Sequence, residues 1–168
     1  MTARNLIDRV PGRARPLVWV GLGLVSLCAV GALSGVGTKS KLMLNYSPSL
    51  PHSAYWVDKT STVPRRGQLA AFRYEGPQGS AVLLKRVVGV SGDKVEIIDS
   101  VYHVGAVVVG PAQAHTRTGQ PLEALPPTEI GEGEWFVTGD HFESYDSRYA
   151  SIGLVKTEAF IGTARPIF

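Results

Sequence analysis

Ser49, in NYSPSLP, and Lys85, in LLKRVVGVSGDKV, are the side chains whose setting in this sequence best suits covalent chemistry. A serine hydroxyl is a weak nucleophile until a base removes its proton, and a lysine can be that base only where its surroundings keep it neutral. Pro48 and Pro51 restrict the backbone on both sides of Ser49, so its side chain can be held in one place. Ser47, two residues earlier, could turn its hydroxyl toward the same reacting carbonyl. With the Ser49 backbone N–H it would then stabilise a developing oxyanion.

Lys85 lies in AVLLKRVVGV, the strongest strand signal of the chain. Alternation puts it on one face with Leu83 and Val87, and Arg86 on the other with Leu84 and Val88. If the first face is buried the amine is desolvated, and a fall of roughly three units from about 10.4 would cost about 4 kcal/mol. That is a substantial part of a domain's stability, so a fold would carry such a lysine mainly for function. The plainer alternatives are a strand lysine whose head reaches water and a serine in an ordinary turn.

These residues follow a membrane-length apolar run. Leu17 to Val36 carry no charge, and about 20 such residues cross a hydrocarbon core as a helix. The run is longer than the apolar part of a cleavable signal peptide, the competing reading, so an uncleaved anchor over 17–37 is expected. Arg4, Arg9, Arg13 and Arg15 precede it, which makes 1–16 a cytoplasmic basic tail and 38–168 an exported domain on the far side of the cytoplasmic membrane. The lipid bilayer is therefore an expected partner. Much of the net charge of +3 is that tail, and no later basic run interleaves with aromatics, so nucleic acid is not an expected partner. The single cysteine, Cys28, lies within the run, so the exported part is expected to be stable by packing alone.

The exported part reads as mostly β. After a short polar tether, strands are predicted at Ala54 to Val57, Gln68 to Tyr74 and Ala81 to Val90, the last joined through Ser91, Gly92 and Asp93 to KVEIID as a hairpin. VYHVGAVVVG continues the pattern, and WFVTGD and the C-terminal IGLVKTEAFIGTARPIF are strand-like. Residues 111–134, rich in Pro, Gly, Thr and Glu, read as a surface loop, with a substrate-facing lid as the alternative. HFESYDSR reads as a polar connection in which Asp146 and Arg148, two apart, share a face and could pair.

NYSPSLP, LLKRVVGVSGDKV and GEGEWFVTGDHFESYDSRYASIG, in that order after an N-terminal anchor, resemble the three signature regions of type I signal peptidases. The resemblance implies a signal-peptidase-like β-rich catalytic domain behind one transmembrane helix. It implies Ser49 as nucleophile, Lys85 as general base, Ser47 as oxyanion-hole hydroxyl and Ser144 as the serine that orients the lysine amine. Asp146 and Arg148 match residues that brace the site, and Asp140 an acidic position near the dyad. SPSLPHSAYW is closer to the conjugative-transfer branch of the TraF type than to housekeeping leader peptidases, although Ser53 stands where that branch usually has glycine. That branch implies trimming of a membrane-bound pilin precursor, with possible cyclisation of the product. Small residues before the scissile bond are implied in the same way.

No metal or cofactor is expected. The chain has no HExxH, no clustered Cys/His spacing and no GxSxG elbow for His52, His103, His115 or His141 to serve. The rival of another class is a membrane-anchored, non-enzymatic pilus or secretion assembly module that binds partners by a sheet edge. It requires no coupling between Ser49 and Lys85.

Overall fold

The computed structural model describes residues 39–76, 79–116 and 118–167. The expected basic tail and transmembrane helix lie outside the described residues. Among the described residues no helix is long and apolar enough to cross a membrane.

Val-, Leu- and aromatic-rich segments form two antiparallel sheets, so the described chain is mostly β. The larger sheet contains β1 (Ser40–Leu44), β2 (Ala54–Asp58), β3 (Leu69–Gly76), β4 (Gly79–Gly89), β9 (Glu134–Thr138), β10 (Val155–Lys156) and β11 (Phe160–Pro166). Its order is β1-β2-β11-β3-β4-β9-β10. The smaller contains β5 (Lys94–Ile98), β6 (Val101–Val104), β7 (Val107–Pro111) and β8 (Thr128–Glu129), in the order β7-β6-β5-β8. A short 3-10 turn, Thr157–Ala159, leads into β11.

Strand alternation buries both faces of the large sheet. Ala70, Phe72, Val87, Trp135, Val137, Val155 and Phe160 pack on one face; Leu50, Tyr55, Val57, Leu69, Ala71 and Leu84 pack on the other. A third cluster, built on Val88, Val95, Tyr102, Val104, Ile130 and Phe136, joins the smaller sheet to the ends of β4 and β9. β4 is therefore an interior strand. It pairs with β3 on one side and β9 on the other, and Lys85 lies opposite Ala70.

Three expectations need correction. β4 and β5 do not form a hairpin: β4 pairs with β3 and β9, and β5 with β6 and β8. The turn itself is real, closed by Asp93 N–H to Val90 O at 3.0 Å. It passes the chain between sheets because Arg66 clamps the Asp93 carboxylate with bonds of 2.8 and 2.6 Å, while Ile130 exchanges backbone bonds with Gly92 and Asp93 at 2.9 Å. The polar tether includes a strand, β1, whose Leu42 and Leu44 stay exposed at the sheet edge. HFESYDSR is not a solvated connection, since Ser144, Asp146, Ser147 and Arg148 are all buried.

Candidate active site

Lys85 occupies an interior strand of a two-sided sheet, and its face is the one shared with Leu83 and Val87, as alternation predicts. The side chain is only 5% exposed. Burial lowers its pKa from 10.5 to about 8; the Asp146 carboxylate resists that fall, the Arg148 guanidinium reinforces it and Asp140 resists it weakly. Its Nζ donates to Ser144 Oγ at 2.7 Å.

Ser49 sits in the loop between β1 and β2, where Leu50, 4% exposed, is driven into the core and anchors the turn. Asn45 ties the loop across its base. Its N–H donates to Ser53 O at 2.8 Å, and its Nδ2 donates to Leu50 O and His52 O at 3.1 and 3.2 Å. Among the described residues the non-glycine positions with positive φ are Asp99 and Ser100, and Ser53 is not one of them. A serine there in place of glycine thus carries no backbone strain. The carbonyl of Ser49 accepts from the amides of Asp140 at 2.7 Å and His141 at 3.4 Å, which fastens the loop to the end of β9. Ser49 Oγ and Ser47 Oγ are 2.7 Å apart and hydrogen-bonded.

Ser49, Lys85, Ser47 and Ser144 line one cleft. The expected direct contact between amine and nucleophile is not made as a hydrogen bond: the bond of Nζ goes to Ser144, and that of Ser49 Oγ goes to Ser47.

The third region packs around a buried ion pair. Arg148 Nε and Nη2 each reach an oxygen of Asp146 at 2.9 Å, so the pairing suggested by their spacing is formed. Both are essentially solvent-free, and a buried pair survives only when its remaining hydrogen-bonding capacity is filled. Here it is filled. Asp146 accepts from Thr138 Oγ1 at 3.0 Å and Gly139 N–H at 3.1 Å, while Arg148 donates to the carbonyls of Pro111, Phe142 and Ser144 at 2.7, 3.0 and 3.0 Å. The pair thereby holds Ser144, which holds the amine.

Asp140 behaves differently. Its carboxylate forms a bidentate pair with Arg86 at 2.9 and 2.8 Å, and only its backbone amide reaches the Ser49 loop. Two residues that spacing did not single out complete the site, Asn45 and Gly139. A Cβ on Gly139 would lie 2.1 Å from Ser144 Oγ and 2.8 Å from the Ser49 carbonyl oxygen, so only glycine allows the close approach of these two segments.

The cleft has a volume of about 1160 Å³. Its floor includes Ala81 and Leu83 of β4, and one wall comes from the 111–134 segment through Gln113, His115, Thr116 and Gln120. That segment is more than a surface loop. Bonds from Thr116 N–H to Gln120 O and Leu122 N–H to Ala114 O, at 2.8 and 2.9 Å, close a small hairpin. Leu125 N–H to Arg148 O at 2.8 Å and Ala150 N–H to Glu123 O at 2.9 Å then fix it to the third region. Among the described residues no three His, Cys, Asp or Glu side chains converge to hold a metal ion.

The family described as signal peptidase, peptidase S26, matches residues 17–168. The Probable conjugal transfer protein TraF of Sinorhizobium fredii is 28% identical over 92% of this chain and 90% of its own length. A signal peptidase I of Rickettsia typhi is 24% identical over 62% of this chain and 52% of its own. A crystal structure of a signal peptidase I from Enterococcus faecalis V583 is similar over 60% of this chain and 95% of its own, with 28% identity and a TM-score of 0.41. With the family match running through all three regions of the cleft, this chain belongs to the signal peptidase family, peptidase S26.

Proposed function

We propose that the chain is a membrane-anchored serine endopeptidase in which Ser49 is the nucleophile and Lys85 the general base. One observation carries the reading: a lysine with a pKa of about 8 lines the same cleft as a serine held between two prolines. At pH 7 about one-tenth of such an amine is neutral, against about one part in three thousand for an ordinary lysine. That makes a usable base at neutral pH.

In the proposed cycle neutral Lys85 takes the Ser49 proton as Oγ bonds to the substrate carbonyl carbon, and the carbonyl oxygen becomes an oxyanion. Ser47 O–H and Ser49 N–H donate to that oxygen. The charged Lys85 returns its proton to the departing amine, leaving an acyl-enzyme. Lys85, neutral again, then takes a proton from water, whose oxygen attacks the acyl carbon; the proton finally returns to Ser49. Ser144, braced by Asp146 and Arg148, keeps the amine in place through both halves.

The proposed substrates are membrane-bound precursors cut on the far side of the cytoplasmic membrane, and within that class a conjugative pilin precursor. The resemblance of the first region to the conjugative branch and the similarity to the Sinorhizobium protein support this choice over a housekeeping signal peptidase. The test is mass spectrometry of a candidate pilin produced with the wild-type chain or with Ser49→Ala. A shortened linear product indicates hydrolysis, and one lighter by a water indicates ring closure by an amine. An unchanged precursor with the wild-type chain overturns the pilin assignment, and cleavage that survives Ser49→Ala overturns the mechanism.

A further inference from the structure

The loop that carries Ser49 fixes more than the position of a nucleophile. Asn45 Nδ2 faces the carbonyl oxygens of Leu50 and His52 at 3.1 and 3.2 Å, and both groups can only accept. That settles which end of the amide is nitrogen. Oδ1 is left to accept from Ser47 N–H at 3.2 Å and from Ser47 Oγ at 3.0 Å. A hydroxyl has one proton, and Ser47 has given its own to Asn45. In the 2.7 Å contact between the two serines, Ser49 must therefore be the donor. Its proton points at Ser47, while the Lys85 amine is turned to Ser144.

Resting on the serine peptidase reading above, we infer that Asn45 is a positioning residue for the oxyanion donor: it fixes the Ser47 hydroxyl beside Ser49 and keeps both serine protons parked until a substrate carbonyl enters. Ser47 is exposed, and among the described residues its hydrogen bonds go to Asn45 and Ser49, so the amide is what selects its rotamer. The geometry suits the task. In the tetrahedral intermediate the oxyanion and Ser49 Oγ are bonded to the same carbon, so a donor 2.7 Å from Ser49 Oγ is within reach of that oxygen. When the carbonyl arrives, Ser47 O–H rotates from Asn45 to the oxygen that is gaining charge. Asn45 Oδ1 retains the Ser47 N–H, and the Ser49 proton is free to turn to Lys85. No bond other than hydrogen bonds changes in this step.

The experiment is a double-mutant cycle in the full chain, using the precursor cleaved in the mass-spectrometric assay as substrate. Asn45→Ala is expected to lower kcat roughly tenfold with KM within about twofold, a fraction of the roughly 10²–10³ that loss of an oxyanion donor can cost. In a Ser47→Ala background the same substitution should change kcat by less than about twofold, because the hydroxyl it positions is gone. Multiplicative losses would mean that Asn45 only staples the loop, and would overturn the inference. Asn45→Asp gives a second reading, since it keeps the acceptor for Ser47 but puts an oxygen against the Leu50 and His52 carbonyls. Positioning predicts a higher kcat for Asn45→Asp than for Asn45→Ala, with the cost appearing in thermal stability; the reverse order overturns it. The Ser49→Ala control isolates the underlying reading, which fails separately if that variant still cleaves.

Discussion

The amide of Asp140 donates to the carbonyl oxygen of Ser49 at 2.7 Å, so the proposed nucleophile is fastened to the end of β9 and not to the strand that carries Lys85. The two halves of the proposed dyad come from separate segments. What holds them in register is the third region, which grips the Ser49 loop through backbone and the Lys85 amine through Ser144. Gly139 lies between those two grips.

Gly139→Ala should therefore separate them. Its new methyl would collide with Ser144 Oγ and the Ser49 carbonyl oxygen, at 2.1 and 2.8 Å, and one of the two must move. Misplacement by about 1 Å can cost roughly 10²-fold in rate. The expected result is a loss of that order in kcat/KM for precursor cleavage, measured beside a melting curve in which the sheets still unfold cooperatively. Near wild-type kinetics would show that the close approach is dispensable.

Activity should follow the neutral form of Lys85. The kcat/KM profile is expected to rise with pH along a limb near 8 and level off above it, since the free enzyme must lose one proton to act. Asp146 favours the charged amine, so Asp146→Asn should move that limb to lower pH while reducing stability by about 3–5 kcal/mol, because Arg148 is left as a buried unpaired charge. A limb that stays in place or moves upward would separate Asp146 from the titration.

The same burial that lowers the pKa of Lys85 costs stability. Its folded-state pKa of about 8 lies below the unfolded value of 10.5, so between those limits the unfolded chain holds more protons and stability rises with pH. Below about pH 8 the penalty is fully present, at about 3 kcal/mol. Lys85→Met removes it but leaves the buried Ser144 hydroxyl without that partner, at a cost of about 1–3 kcal/mol. At pH 7 the variant should be more stable by up to about 2 kcal/mol in urea unfolding, and the advantage should shrink toward pH 10. A variant less stable at pH 7 than at pH 10 relative to wild type would contradict the desolvation account.

Much of the candidate site was legible in the sequence because the proposed chemistry needs unusual local settings. A serine between two prolines and a lysine inside a Val/Leu strand stand out against ordinary alternation, and β2, β3, β4 and β9 follow from β-branched and aromatic runs. What stayed hidden depends on contacts that exist only once the loops have folded back on themselves. Asn45 and Gly139 carry no periodic signal, and their roles exist only once Leu50, His52, Ser144 and Ser49 have been brought to them. HFESYDSR looks solvated because sequence polarity does not reveal that Asp146 and Arg148 neutralise each other away from water. β1 looks like tether because an edge strand can leave Leu42 and Leu44 exposed. The turn at Gly92 was readable, but which strand β5 joins is decided by Arg66 and Ile130.

The hairpin within 111–134 should contribute to binding and not to chemistry. The cleft of about 1160 Å³ is larger than a typical small-molecule pocket of about 300–1,000 Å³ and has room for several residues of an extended chain. Its apolar floor at Ala81 and Leu83 can receive side chains, while the wall carrying His115 and Gln120 offers hydrogen bonds to groups that point the other way. Each such bond is worth about 0.5–1.5 kcal/mol, or roughly two- to tenfold in binding. Because the hairpin is closed by backbone bonds and fastened to Arg148 and Ala150, trimming these two side chains should leave its course unchanged. His115→Ala and Gln120→Ala are therefore expected to raise KM for the precursor by about that factor each, with kcat within about twofold of wild type. A fall in kcat at constant KM would instead put the hairpin in the reacting constellation, and unchanged kinetics in both variants would mean that the substrate does not touch this wall.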